Sequence, residues 1–313
     1  MSIQNPREVY GRTLVELGKE NHNIVALEAD LGKSTMSCYF EAAFPDRYFE
    51  MGIAEANMTS FAAGLSLTGK IPFTNSFAVF AAGRSFDQIR QGICLPKLNV
   101  KIVGSSAGLS DCGDGSTHQT VEDIAIMRAI PNMTVLVPAD AIETRKMTRA
   151  IAAYNGPVYM RLTRSDLPDV FPEGEDFVIG KPYLLRDGTD VVVFATGVMV
   201  SQALEAAEIA SAEGVSIRVV NVSSLKPVDE AALKALATGM KGIVTAEEHS
   251  LIGGLASVIS YVFRSDGLPI SCVGIDDQFG QSAENTTELM EHYGLSPKHI
   301  AAAALSVCVA HSA

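Results

Sequence analysis

Apolar residues recur along this chain with two periods that alternate from end to end. Asn5-Pro6 followed by Glu8 reads as a helix cap with proline at the first helical position, and Val9, Leu14 and Leu17 make an apolar stripe that runs to Gly18. The unbroken run Ile24-Val25-Ala26-Leu27 then predicts a buried strand. A helix over Ala56 to Thr68, a short buried strand at Pro72-Phe73-Thr74 and a second helix from Ala81 to Leu95 follow. Val100 to Val103 and Thr134 to Val137 read as further strands, bracketing a long polar loop that carries glycines. Loops of that length inside a compact domain are usually functional.

After Pro157-Val158-Tyr159-Met160-Arg161-Leu162 the composition shifts to Pro168, Pro172, Glu173, Gly174, Glu175 and Asp176, the signature of a linker. Beyond it the alternation resumes. Strands are expected at Asp190 to Thr196, Ile217 to Val222, Gly242 to Glu247 and near Ile270 to Val273, with helices at Ser201 to Ala212, Asp229 to Ala237 and Gly253 to Phe263. The expected fold is therefore α/β, two three-layer α/β/α domains with mainly parallel sheets. The expected boundaries are 1–170 for the first domain, 171–186 for the linker and 187–313 for the second, whose four strands should run parallel.

Composition narrows the class. With 47% hydrophobic residues, 19% charged and no Trp in 313 residues, the chain is globular and has ample apolar surface to bury. A formal net charge of −12 argues against nucleic acid or an anionic membrane as the main partner, so any phosphate must be met by local basic residues. The five cysteines, Cys38, Cys94, Cys112, Cys272 and Cys308, are scattered and never form C-x-x-C, which fits small buried hydrophobes in a reducing cytosol. Met1 is followed by polar Ser2, Gln4 and Asn5 and by charged Arg7, so no secretory signal is expected and a cytoplasmic location is. The longest apolar run, Ala301 to Ala310 around Ser306, is too short for a bilayer.

Three segments carry candidate chemistry. In Gly52-Ile53-Ala54-Glu55-Ala56-Asn57-Met58, Glu55 sits at a helix start among apolar neighbours, where desolvation favours the neutral acid or a shared proton. Taken alone, such a carboxylate also suits the helix dipole. In Phe77-Ala78-Val79-Phe80 two aromatic rings three apart share one side of a helix or turn and can stack on a flat heterocycle, although isolated pairs of this kind are usually core. In Gly113-Asp114-Gly115-Ser116-Thr117-His118-Gln119, Asp114 and His118 offer a carboxylate and an imidazole for sugar hydroxyls and proton transfer; the plain alternative is a solvated turn.

In their order and spacing these segments resemble the transketolase family, end to end over its pyrimidine-binding and C-terminal domains. Pro131-Asn132, Pro138-Ala139-Asp140 and Arg164 after a strand add to the likeness. The resemblance implies thiamine diphosphate as cofactor, with Glu55 as the activating carboxylate and Phe77 and Phe80 as pyrimidine contacts. It implies Asp114 and His118 as ligands of the ketose donor, His118 also taking part in catalysis, and Arg164 as a ligand of the substrate phosphate. Arg161 is an odd number of residues from Arg164 on an extended segment, so the two should not face one site. A role for Thr245-Ala246-Glu247-Glu248-His249 with Gly253-Gly254 in dimer contact and structure is implied as well.

The diphosphate-binding half is missing. That half pairs Gly-Asp-Gly with an Asn at a set interval, and here Asn132 stands too close to Asp114 and Asn155 too far. No other glycine-rich loop opens a helix with the needed partners. The chain itself is thus expected to hold no metal, with Mg2+ and diphosphate held by a partner chain, an N-terminal transketolase subunit, in an assembly with two copies of each chain. Ser106 stands where the family pattern has a phosphate-binding His, and Cys38 where it has an Arg, so the sugar can be phosphorylated differently, branched, or end in another anion. Ketol transfer between a ketose phosphate and an aldose is the first reading of function. The β subunit of a 2-oxo acid decarboxylating dehydrogenase, a 1-deoxyxylulose-phosphate-synthase-like enzyme and a non-catalytic scaffold are the others.

Overall fold

The computed structural model describes residues 2–310. Its first half contains strands β1 (Ile3–Gln4), β2 (Ile24–Glu28), β3 (Tyr48–Glu50), β4 (Ile71–Phe77), β5 (Lys101–Ser105), β6 (Thr134–Leu136), β7 (Val158–Arg161) and β8 (Leu167–Pro168). The second half contains β9 (Tyr183–Arg186), β10 (Val191–Ala195), β11 (Ile217–Asn221), β12 (Ser224–Lys226), β13 (Gly242–Ser250) and β14 (Ile270–Ile275). Two mainly parallel sheets with helices on their faces result, in the orders β12-β6-β7-β5-β4-β2-β3 and β14-β13-β10-β11-β9. Strands such as β2, β5 and β10 are buried at every position, which is why the sequence shows unbroken apolar runs there instead of alternation.

Several elements differ from the sequence reading, each for a physical reason. The second sheet has five strands, because β9 pairs antiparallel with β11 and adds an edge to the four parallel ones. The short strand β12 leaves that half of the chain and pairs antiparallel with β6, extending the first sheet. Residues 171–186, read as a linker, are packed: Phe171, Phe177 and Tyr183 are buried in the core under the first sheet, and Asp140 Oδ2 accepts from the amides of Val170 and Phe171, both at 2.6 Å. The helix expected from Ala81 to Leu95 is broken into Ala78–Gly83, Phe86–Gln88 and a π turn at Ile89–Cys94. Of the five cysteines, only Cys94 is buried, and Cys272 on the sheet-edge strand β14 is exposed. Among the described residues no helix is long and apolar enough to cross a membrane.

The two sheets share one core. A contiguous apolar cluster runs from Val25 and Met58 through Ile124 and Val135 to Phe194 and Leu255. Polar side chains fasten the seam. Glu143, fully buried, accepts from the Ala139 amide at 2.7 Å, from Asn221 Nδ2 and from Ser223 Oγ at 2.5 Å. Arg161 Nε donates to Asp123, its Nη2 donates to the Glu248 carbonyl at 2.9 Å, and Glu248 Oε1 accepts from the Leu109 amide at 3.0 Å. Glu247 caps the helix Leu255–Val262 by accepting from the amides of Leu255 and Ala256.

Burial pushes the carboxyls of Glu28, Glu143, Glu247 and Glu248 up to about 7, while hydrogen-bond donors and, for the last two, Arg161 oppose the shift. Burial pulls His249 down to about 4. A carboxyl that is a weaker acid in the folded chain stabilises the fold fully below its unfolded value, and loses that contribution as pH rises to its folded value. His249 acts oppositely, losing stability as pH falls from its ordinary range towards 4. Lys101, which burial pulls down to about 7, also opposes the trend above that value, but four glutamates outweigh these two groups, so the urea midpoint should fall between pH 5.5 and pH 8. Glu143→Gln should flatten part of that slope, and a midpoint that holds steady or climbs over this range would contradict the assignment.

Candidate functional site

Every sequence-predicted site residue lies at or just beyond the carboxyl end of a parallel strand, the end at which open α/β sheets bind ligands. Glu55 is the first residue of the helix Glu55–Leu67 that follows β3, and it is 3% exposed. Phe77 ends β4, and Phe80 lies in the helix Ala78–Gly83 that begins directly after it. The loop with Asp114 and His118 follows β5, and Arg164 follows β7.

Four of these side chains form one wall. The rings of Phe77 and Phe80 are stacked, 14° from parallel with centroids 6.1 Å apart. His118 meets both edge-on, at 5.3 Å from Phe80 and 6.2 Å from Phe77. Glu55 joins through a residue that the sequence reading did not single out: Arg84 Nη1 is 2.9 Å from Glu55 Oε1, and the same guanidinium lies 4.0 Å from the centroid of Phe80. The apolar surroundings expected for Glu55 therefore include a half-exposed cation. A flat, positively charged donor stacked on Phe80 and bonded to Glu55 is a stand-in for a flat heteroaromatic ring with a protonated nitrogen, so these residues fit a pyrimidine.

The loop from 106 to 119 is clamped. Ala107 N donates to the Leu162 carbonyl, Gln119 Nε2 donates to the Gln281 carbonyl at 3.1 Å, and the Ala283 amide donates to the Cys112 carbonyl at 3.0 Å. Gly115 needs its positive φ of 74°, and a Cβ there would come within 2.3 Å of Ser282 Oγ. Asp114 is exposed on this loop, and Thr117 Oγ1 lies 3.0 Å from Nδ1 of half-buried His118.

Arg164 and Arg161 part company, as their spacing implied. Arg161 is buried in the domain seam, whereas Arg164 is half-exposed with Nη1 at 3.0 Å from Asp111 Oδ2. Beside Arg164 stands Arg7, whose Nη2 donates to the Arg164 carbonyl and whose Nη1 donates to the Ser34 carbonyl at 2.7 Å. Burial pushes the Asp111 carboxyl up, with Arg164 opposing. Ser106 is fully buried with φ of 52°, and its hydroxyl has no hydrogen-bond partner. Cys38 opens the short helix Cys38–Ala43 and is half-buried. Among the described residues no group of three or more His, Cys, Asp or Glu is placed to hold a metal ion.

Arg7, Arg84 and Asp111 were invisible as site residues because each meets its partner across tens of positions in the chain. The one sequence signal was indirect: Arg7 follows the Asn5-Pro6 cap, which fixes it in the first turn of the helix Pro6–Glu20. Exposed apolar side chains, namely Ile53, Phe61, Leu67, Phe86 and Leu95, are carried by the helix Glu55–Leu67, the residues before it and the segments packed on it.

Residues 4–170 match the family model for the transketolase pyrimidine-binding domain, and residues 180–300 match that for the transketolase C-terminal domain. A protein of Methanocaldococcus jannaschii named as a transketolase C-terminal section is 46% identical over 299 residues, covering 94% of this chain and 93% of its own. A 6-deoxy-6-sulfo-D-fructose transketolase subunit of a Clostridium species is 42% identical over 302 residues, 96% of this chain and 94% of that one. Among solved structures, a split-gene transketolase in an inactive beta4 tetramer superposes with a TM-score of 0.89 at 47% identity, over 98% of this chain and 99% of that chain.

The Glu55–Arg84 pair should be measurable by itself. Arg84→Met strips a buried carboxylate of its cation and should lower the unfolding free energy by about 1–2 kcal/mol. Glu55→Gln in the same chain should recover part of that loss. Urea denaturation of the two single variants and the double variant closes the cycle, and strictly additive effects would show that the two groups are not coupled.

Proposed function

The chain belongs to the transketolase family, of which it carries the pyrimidine-binding and C-terminal domains, and from this we propose that it is one subunit of a split, thiamine-diphosphate-dependent transketolase. The reaction is transfer of a two-carbon ketol unit from a ketose with an anionic end to an aldose. The observation that carries the reading is the Arg84 guanidinium, stacked on Phe80 and bonded to Glu55 where a pyrimidine would make the same two contacts.

Thiamine diphosphate bound there supplies the carbanion chemistry that breaks and reforms the carbon–carbon bond. Glu55 would hydrogen-bond to the pyrimidine nitrogen in place of Arg84, where it is largely shut off from water. Phe77 and Phe80 fix the plane of the ring and keep water from it. His118, with Nδ1 turned to Thr117, offers Nε2 to a donor hydroxyl and moves its proton during cleavage. Asp114 accepts from a second hydroxyl, and Arg164 with Arg7 holds the anionic end.

Diphosphate and Mg2+ fall to an N-terminal transketolase subunit, because the spaced Gly-Asp-Gly and Asn are absent from this sequence. Docking of that subunit over Ile53, Leu67 and Leu95 covers apolar surface that this chain leaves in water and closes the site beside Glu55. The assembly is expected to hold two copies of each chain.

Titration of thiamine diphosphate and Mg2+ into this chain alone, and into its mixture with an N-terminal subunit, tests the reading. Tight binding only in the mixture is expected, with Glu55→Gln and His118→Ala each lowering ketol transfer by about a hundredfold or more while leaving the assembly intact. Tight binding by this chain alone, or full activity of Glu55→Gln, would overturn it. Turnover of pyruvate in place of a ketose would move the assignment to the synthase-like reaction.

A further inference from the structure

The anion-binding end of the site contains a carboxylate of its own. Asp111 is 4% exposed, and its Oδ2 sits 3.0 Å from Arg164 Nη1. Arg7 lies against the same residue, its guanidinium hydrogen-bonded to the Arg164 carbonyl and close enough to feel the charge of both Arg164 and Asp111. Two guanidiniums and one carboxylate leave a single net positive charge. The groups around them add negative charge: Asp114 acts on Asp111, and Glu8 and Asp166 act on Arg7, while His118 acts on Asp111 in the opposite sense. Ser106, at the position of a histidine in the family pattern, brings a hydroxyl and no charge.

A phosphate monoester carries between one and two negative charges at neutral pH, with its second ionisation near about 6. Beside Asp111 the second charge has no counterpart in this chain and meets a like charge in a place partly removed from water. A sulfonate carries one charge at every working pH and so brings no second negative charge up to Asp111. It also presents three acceptor oxygens in a tetrahedral array, which suits donors that come from separate segments. Two buried donors, Arg7 Nε and Ser106 Oγ, have no hydrogen-bond partner, and the Ala107 amide next to Ser106 donates to the Leu162 carbonyl, two residues before Arg164. A planar carboxylate would use fewer of these directions.

We propose that the donor sugar is held at Arg7 and Arg164 by a singly charged sulfonate in preference to a phosphate, and that Asp111 sets this preference. The inference rests on the ketol-transfer reading and names its substrate class. Asp111 contributes by charge: it shares Arg164 with the substrate and penalises a second negative charge.

The test uses the complex reconstituted with an N-terminal subunit, with fructose 6-phosphate and 6-deoxy-6-sulfofructose as donors and neutral erythrulose as a reference donor. At pH 8 the kcat/KM for the sulfonate should exceed that for the phosphate by about tenfold or more, a difference of the size expected for one like-charge contact at a half-exposed site. The ratio should narrow at pH 5.5, where the phosphate ester becomes singly charged. Asp111→Asn, which keeps an acceptor for Arg164, should shift the ratio about tenfold towards the phosphate; Asp111→Leu provides a second variant without the charge. Because the readout is a ratio within one enzyme, a general loss of activity cancels. Equal or better use of the phosphate at pH 8, or a ratio that neither variant moves, overturns the proposal. Failure to turn over erythrulose as well would instead sink the ketol-transfer reading, and calorimetric binding of the two sugars to the same complex would then decide the anion preference.

Discussion

Arg161 is the point on which the arrangement of this molecule turns. Its guanidinium is buried at the seam between the two sheets, and burial of an unpaired charge there would be far too costly. Asp123 and Glu248 therefore have to be where they are, one from the helix Asp123–Ala129 of the first half and the other from β13 of the second. Glu248 in turn holds the Leu109 amide, and at Gly108, with φ of 66°, a Cβ would stand 2.1 Å from its Oε2. The base of the loop that bears Asp111, Asp114 and His118 is thus pinned to the second domain. A domain with few candidate site residues of its own positions the loop of the other that carries Asp114 and His118.

The same logic of unsatisfied charge explains why half a site can be stable. A carboxylate as buried as Glu55 needs a donor whether or not a cofactor is present, and Arg84 supplies one from a half-exposed position. About half of this long, flexible side chain is already in water, so it has open solvent to move into when another donor takes its place at Glu55. The pair therefore keeps the helix start intact in the lone chain without sealing it. Exposed Ile53, Leu67 and Leu95 supply apolar surface that association can remove from water.

Legibility in the sequence followed the range of the interactions. Buried parallel strands announced themselves as apolar runs, and Glu55, Phe77, Phe80 and His118, which the fold brings together, could be singled out because one contiguous motif surrounds each of them. The break in the helix expected from Ala81 was not legible. Gly83-Arg84-Ser85 interrupts an otherwise helical pattern, and its reason is the turn that brings Arg84 over Phe80 towards Glu55. β12 was missed because three residues carry no periodicity, and the strand exists only by pairing with β6 across the domain boundary. Arg7, Arg84 and Asp111 were missed for the same cause, since each acquires meaning only from a residue that folding brings beside it.

This separation also divides the site into parts that can change independently. Glu55, Phe77 and Phe80 are held by strand ends and the first turns of helices, where moving one side chain would disturb a sheet packed on both faces. Asp111, Ser106 and Arg164 are held by loop backbone: the Arg164 amide donates to Ser110 Oγ and Ser110 Oγ donates to the Ala107 carbonyl, so their side chains can be exchanged without moving a strand. In the proposed site the residues assigned to the cofactor are therefore tied to the fold, whereas the charge at the anion-binding end is a property of one loop. A carboxylate among guanidiniums lowers the net positive charge of an anion site without emptying it, which makes Asp111 a means of choosing between anions of similar shape and different charge.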